Sequence, residues 1–159
     1  MIKHPFHHIL HEFIKFTGLE LDLPPADELE SFDFVIDHTK CVVIPNEDES
    51  LLIARIAVMR LDEITLKNRT VALRMLHALN SVGLFRNQLM ATVNADDEIY
   101  VAKVFHAHRL TGEAFSEELA VLFESAGNLL ASLRILAKAE EIPAEYQAYV
   151  QPPCPLQMA

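Results

Sequence analysis

The chain is poor in the residues from which catalytic and phosphate-binding loops are built. Only four glycines occur among 159 residues, and none of them forms the spaced set that cradles a phosphate. No serine stands in a nucleophile-elbow context. The two cysteines, Cys41 in a β-branched run and Cys154 in a proline-rich stretch, do not make a disulfide framework, so a reducing, cytoplasmic setting is expected. Positive charge is also scarce: 13 Lys and Arg stand against 23 Asp and Glu, a formal net charge of −10. That balance argues against a nucleic-acid partner, which calls for clustered Lys and Arg, and against anionic membrane surfaces. No apolar run reaches the roughly 18 residues of a spanning helix, and no membrane insertion is expected. The start, Met1-Ile2-Lys3-His4-Pro5, lacks the charged, apolar and cleavage regions of a signal peptide.

What the chain does have is apolar content. Hydrophobic residues make up 51% of it, too many for a disordered chain of this charge and enough for the core of a single domain. Phe6, Ile9, Leu10, Phe13 and Ile14 follow helical spacing, with Pro5 suited to the first turn and Gly18 to the C-terminal cap. Residues 19–30 read as a loop around Pro24-Pro25. Three strand candidates follow: Phe32-x-Phe34-x-Ile36, the run 41–44, and 51–61, the last apolar on both faces. A second helix is expected over about 67–83. A hairpin comes next, over 88–94 and 98–108, turning at Ala95-Asp96-Asp97. A third helix opens at the N-cap Thr111 and runs to about Glu141, ahead of Pro143. Residues 1–143 are thus expected to form one α+β domain in the order αβββαββα, with a twisted, mostly antiparallel sheet of about five strands. Residues 144–159 read as a loose tail that can be removed without loss of the fold.

Candidate chemistry is thin. His4 and His8, like His7 and His11, are four apart and share a helix face, but two nitrogens do not make a stable metal site and the His-Glu-x-x-His pattern fails at Lys15. His106 and His108 share a strand face. Asp33 and Asp37 flank Phe34 to Ile36 as the polar side of a one-sided strand. Nothing couples these groups to a nucleophile, so no catalytic residue, metal ligand or cofactor is assigned.

Several apolar segments look like those of a known family. Phe13-Ile14-Lys15-Phe16-Thr17-Gly18-Leu19 as a helix ending, Phe34-Val35-Ile36-Asp37 with Cys41-Val42-Val43-Ile44 as a hairpin, and Leu51-Leu52-Ile53-Ala54 as a third strand are three of them. Leu76-His77-Ala78-Leu79-Asn80 and Leu110 with Phe115, Leu119 and Phe123 complete the set. Together they resemble the class I secretion chaperones of bacterial type III systems, the Tir-chaperone-like family. The glycine usual in the first hairpin turn is replaced by His38-Thr39-Lys40. YbjN-like regulatory or stress proteins share the layout and form an alternative; a small metal-binding enzyme is a third. The resemblance implies a cytoplasmic homodimer, without catalysis or cofactor. Such a protein binds the N-terminal chaperone-binding segment of a secreted effector, keeps it non-globular and passes it to components of the secretion apparatus.

Two surfaces follow. Phe6 and Phe13 share a helix face that Phe16 does not, and a leftover aromatic patch beside an edge strand is a binding site by default. The expected partner-binding set is Phe13, Phe16, Leu19, Phe34, Ile36, Ile44, Ala54 and Ile56, of which some must be core. On the second helix Ala72, Met75, Leu76, Leu79 and Val82 form a core stripe, and Val71, Leu73 and Leu84 lie off it. An excess of this kind is often covered by another subunit. The expected dimer interface is Val71, Leu73, Leu76, Asn80 and Leu84.

Overall fold

A computed structural model describes residues 3–86 and 88–150, without the side chains of 82–86. The chain runs α1 (Pro5–Thr17), β1 (Phe32–Ile36), β2 (Thr39–Pro45), β3 (Leu51–Arg60), α2 (Leu66–Arg86), β4 (Leu89–Val93), β5 (Glu98–His106) and α3 (Gly112–Lys138), followed by a 3-10 segment, Ala144–Tyr149. The expected αβββαββα order is therefore present. All strand pairs are antiparallel, in the order β1-β2-β3-β5-β4, which leaves β1 and β4 as the edges.

The helix ends are set by residues distant in sequence as well as by local ones. Gly18 adopts φ +67° and returns its N–H to the Ile14 carbonyl, closing α1 in the left-handed conformation that glycine tolerates. At the other end the Phe6 N–H donates to Glu49 Oε2 at 3.0 Å, so a carboxylate from the β2–β3 turn sits at the positive pole of α1. Thr111 caps α3 by accepting from the Ala114 N–H at 3.1 Å, and Glu12 of α1 accepts from the Gly112 N–H, also at 3.1 Å. The two helices cross so closely there that a Cβ on Gly112 would lie 2.5 Å from the Glu12 backbone.

Alternation along the strands puts one face of the sheet inward. Phe32, Phe34, Cys41, Val43, Leu52, Ala54, Ile56, Ile99, Val101 and Phe105 are all buried. Phe13 joins α1 to this face, 5.6 Å from the Phe34 ring and 5.4 Å from Phe115 of α3. Lys103, also inward, is neutralised by Glu118 of α3. By length and composition α3 could cross a membrane, but Phe115, Leu119, Leu122, Ala126, Leu129, Leu133 and Leu136 are spent on the core. The β1–β2 turn uses no glycine: Asp37 and His38 themselves take φ +48° and +66°, both positive as in a type I′ hairpin turn.

α3 ends at Lys138, ahead of the expected Glu141, because buried Asn68 of α2 takes the Leu136 and Ala139 carbonyls at 2.7 and 2.9 Å. The following segment also differs from the loose tail read in the sequence. Tyr146 is buried, Lys67 takes the Glu140 carbonyl, and Arg74 takes those of Tyr149 and Val150. Three side chains of α2 thus hold carbonyls of residues 136–150. Residues 151–159, including Cys154, lie outside the described residues.

Candidate partner-binding surfaces

Of the eight residues singled out for partner binding, four are interior. Phe13, Phe34, Ala54 and Ile56 are at most 4% exposed and belong to the core, which corrects their assignment to a surface. The reason is register. Phe13 lies on the α1 face shared with Phe6, Ile9 and Leu10, and Phe34, Ala54 and Ile56 fall on the inward parity of β1 and β3. Phe16, on the other side of α1, is 56% exposed. Leu19, Ile36 and Ile44 are half-buried.

Leu19 and Ile36 line a groove of about 370 Å³ between the end of α1, the β1–β2 hairpin and α3; Phe16 and Ile44 lie outside its lining. Its apolar lining includes Phe13, Leu19, Ile36, Leu119 and Phe123. Asp37, at the hairpin turn, is the one charged residue in its wall. Beside the groove β1 presents a free sheet edge, with Val35 58% exposed on the outer face. That outer face continues as cross-strand neighbours Ile44, Ile53 and Val104, where Ile44 pairs with Ile53 and Ile53 with Val104. Lys40 lies 2.7 Å from Asp33 across the hairpin, and its hydrogen bond and charge hold the Asp33 carboxyl below the usual aspartate range.

α2 divides differently from the expected stripe. Val71 and Leu76 are buried in the core, so they are corrected as interface residues, whereas Leu73 is 43% exposed and joined at the surface by Leu66 and Leu79. The Leu84 side chain lies outside the described residues. Asn80 spends both amide atoms on the Ala91 backbone of β4, a role that the helical pattern alone does not reveal. A second groove of about 600 Å³ lies between α2, β4, α3 and the 3-10 segment, with Met75, Leu89 and Tyr149 in its wall.

Among the described residues no group of three His, Cys, Asp or Glu is placed to hold a metal. His4 lies between two carboxylates, 3.7 Å from Asp27 and 3.9 Å from Glu49, and His8 lies 3.4 Å from Glu12. His106 and His108 stack edge to face, 6.0 Å apart. Cys41 is fully buried, and burial pushes its thiol up to about 12. What these elements offer is an apolar groove beside an unpaired strand edge, an arrangement suited to an extended polypeptide.

Several solved structures share this fold. A chain of the ExsC–ExsE complex superposes with a TM-score of 0.68 at 20% identity, covering 84% of this chain and 97% of that one. The Yersinia pestis type III secretion chaperone SycH, in complex with a stable fragment of YscM2, gives 0.60 at 20% identity, over 77% and 98% of the two chains. The HopA1–SchA chaperone–effector complex gives 0.65 at 11% identity, over 80% and 94%. Such identities establish the shared fold. No curated protein matches the chain. The family model of the Tir chaperone protein (CesT) family matches residues 8–130, from the first turns of α1 into the second half of α3. That span takes in every strand and bears out the resemblance carried by the helix endings and hairpins: the chain belongs to the Tir chaperone protein (CesT) family.

Proposed function

We propose that this protein is a class I type III secretion chaperone. It binds the N-terminal chaperone-binding segment of a secreted effector, keeps that segment non-globular, and aids its delivery to the export apparatus. The observation that carries this reading is the family match over residues 8–130. An open β1 edge beside an apolar groove supports it, because main-chain hydrogen bonds can supply affinity there while pockets select side chains. The protein works in the cytoplasm without catalysis or cofactor, and its acidic surface keeps the loaded complex soluble.

The working form is a homodimer. Leu66, Leu73 and Leu79 leave apolar surface on α2 that a second copy would cover. Light scattering should give twice the chain mass at micromolar concentration; a monomer there removes the dimer. The functional reading is tested by purifying the protein from its native host and identifying what accompanies it. An effector bound through its N-terminal region, and lost from the secreted fraction when this chain is deleted, is the expected result. Secretion unchanged on deletion, with no effector bound, overturns the reading.

A further inference from the structure

The groove at the tip of the β1–β2 hairpin is apolar inside and carries one carboxylate, Asp37, in its wall. Among the described residues no cation pairs with Asp37. The nearby Lys40 is engaged by Asp33. Thr17, in the last turn of α1, also lines the groove, which brings the negative pole of that helix to the same place. Lys15 lies on the opposite face of α1, two residues from Phe13 and from Thr17, both of which face the groove. Glu20 and Asp22, which follow Leu19 of the groove wall in the chain, are exposed, and residues 19–30 carry no Lys or Arg; Asp27 lies at the other end of α1, 3.7 Å from His4. An apolar side chain entering this groove therefore brings its neighbours into a negative field.

We propose that the groove selects a basic-apolar segment: an apolar anchor seated among Leu19, Ile36, Leu119 and Phe123, with an Arg or Lys one or two positions away that pairs with Asp37. This rests on the chaperone reading, whose bound segment it describes chemically. Asp37 acts here as a specificity residue; the apolar floor supplies most of the affinity, and the carboxylate ranks the candidates. A partner of the same apolar pattern with acidic neighbours is rejected by the same field.

The test uses synthetic peptides that share one alternating apolar pattern and differ only beside a central leucine, where Arg, Gln or Glu stands. Binding to the full chain is read by fluorescence anisotropy at pH 8, above the ordinary histidine range. The expected order is Arg, then Gln, then Glu. Asp37→Asn keeps a residue that tolerates the left-handed turn, and it should reduce the Arg-over-Gln preference about threefold at low salt. That preference should fade as salt rises. Ala120→Trp, which fills the exposed side of the groove, should abolish binding of all the peptides, with an unchanged circular dichroism spectrum. Ser116→Trp serves if that variant does not fold. An Arg-over-Gln ratio unaltered by Asp37→Asn overturns the charge selection even if the groove is the seat. Binding that survives the tryptophan, or no binding of any peptide at millimolar concentration, overturns the groove itself. Failure of the chaperone reading is separate, appearing as absence of an effector from the native host.

Discussion

Asn80 of α2 holds Ala91 of β4 by both backbone atoms: its Nδ2 donates to the Ala91 carbonyl and its Oδ1 accepts the Ala91 N–H, each at 2.7 Å. β4 is an edge strand, and Ala91 faces Val101 of β5 in the ladder. The side chain thus occupies hydrogen-bonding groups that would otherwise be open to another strand. It also ties α2 to the sheet, since α2 and β4 are neighbours through a short connection.

Replacing Asn80 with Ala leaves a half-buried donor and acceptor without partners. The expected cost is about 2 kcal/mol, read as a lower urea midpoint with an unchanged slope. Exposure of the β4 edge should add concentration-dependent association. A midpoint equal to that of the original protein would show that water replaces the amide at no cost.

Tyr146→Ala tests the segment after α3. The ring is buried, and its loss should cost about 3 kcal/mol. A chain ending after Pro143 should melt well below one ending after Val150, because it also loses the carbonyls that Arg74 holds. Equal melting temperatures would mean that the segment contributes nothing to the body.

Gly112→Ala would normally help a helix by reducing the freedom of the unfolded chain. Here the added Cβ meets the Glu12 backbone at 2.5 Å, and backbone cannot swing aside. The α1–α3 crossing must open, so a destabilisation of about 2 kcal/mol is expected. A stabilised variant would show that the helices separate freely.

Phe16→Asp should preserve the fold, since the ring is 56% exposed, and should weaken effector capture. As an aromatic anchor it would be worth about 2 kcal/mol, roughly thirtyfold in affinity by calorimetry. Unchanged affinity, with an intact spectrum, places the contact elsewhere.

Cys41 makes stability depend on alkaline pH. Burial raises its thiol from 9.0 to about 12, so the folded state favours the neutral form. The raised folded value means that this contribution is complete below about pH 9 and is lost as pH rises toward 12. Chemical denaturation across that interval should show a steeper loss for the original protein than for Cys41→Ala. Parallel curves would indicate that the thiolate finds solvent without unfolding.

Local physics makes much of this fold legible in the sequence. Pro5 and Gly18 bound α1 where they stand, because one needs no N–H at a first turn and the other accepts positive φ. The Phe-x-Phe row of β1 and the Phe115, Leu119, Leu122, Ala126 series of α3 show their faces through period alone. Period says which residues share a side; it does not say what covers that side. Ala54 and Ile56 could be read as surface because β3 is apolar on both faces, and only the helices stacked on one face decide between them. Val71 and Leu76 are ambiguous in the same way, and only the packing of α2 places them in the core. Tyr146 gives no periodic signal, since the segment that carries it is held through the Glu140 and Tyr149 carbonyls by Lys67 and Arg74, more than seventy residues back in the chain. The chain's own order determined that helices and strands of this kind would form and that the protein would carry a negative net charge. Which apolar residues were left facing outward was settled by tertiary packing, because burial belongs to pairs of surfaces and a sequence states only one surface of each pair.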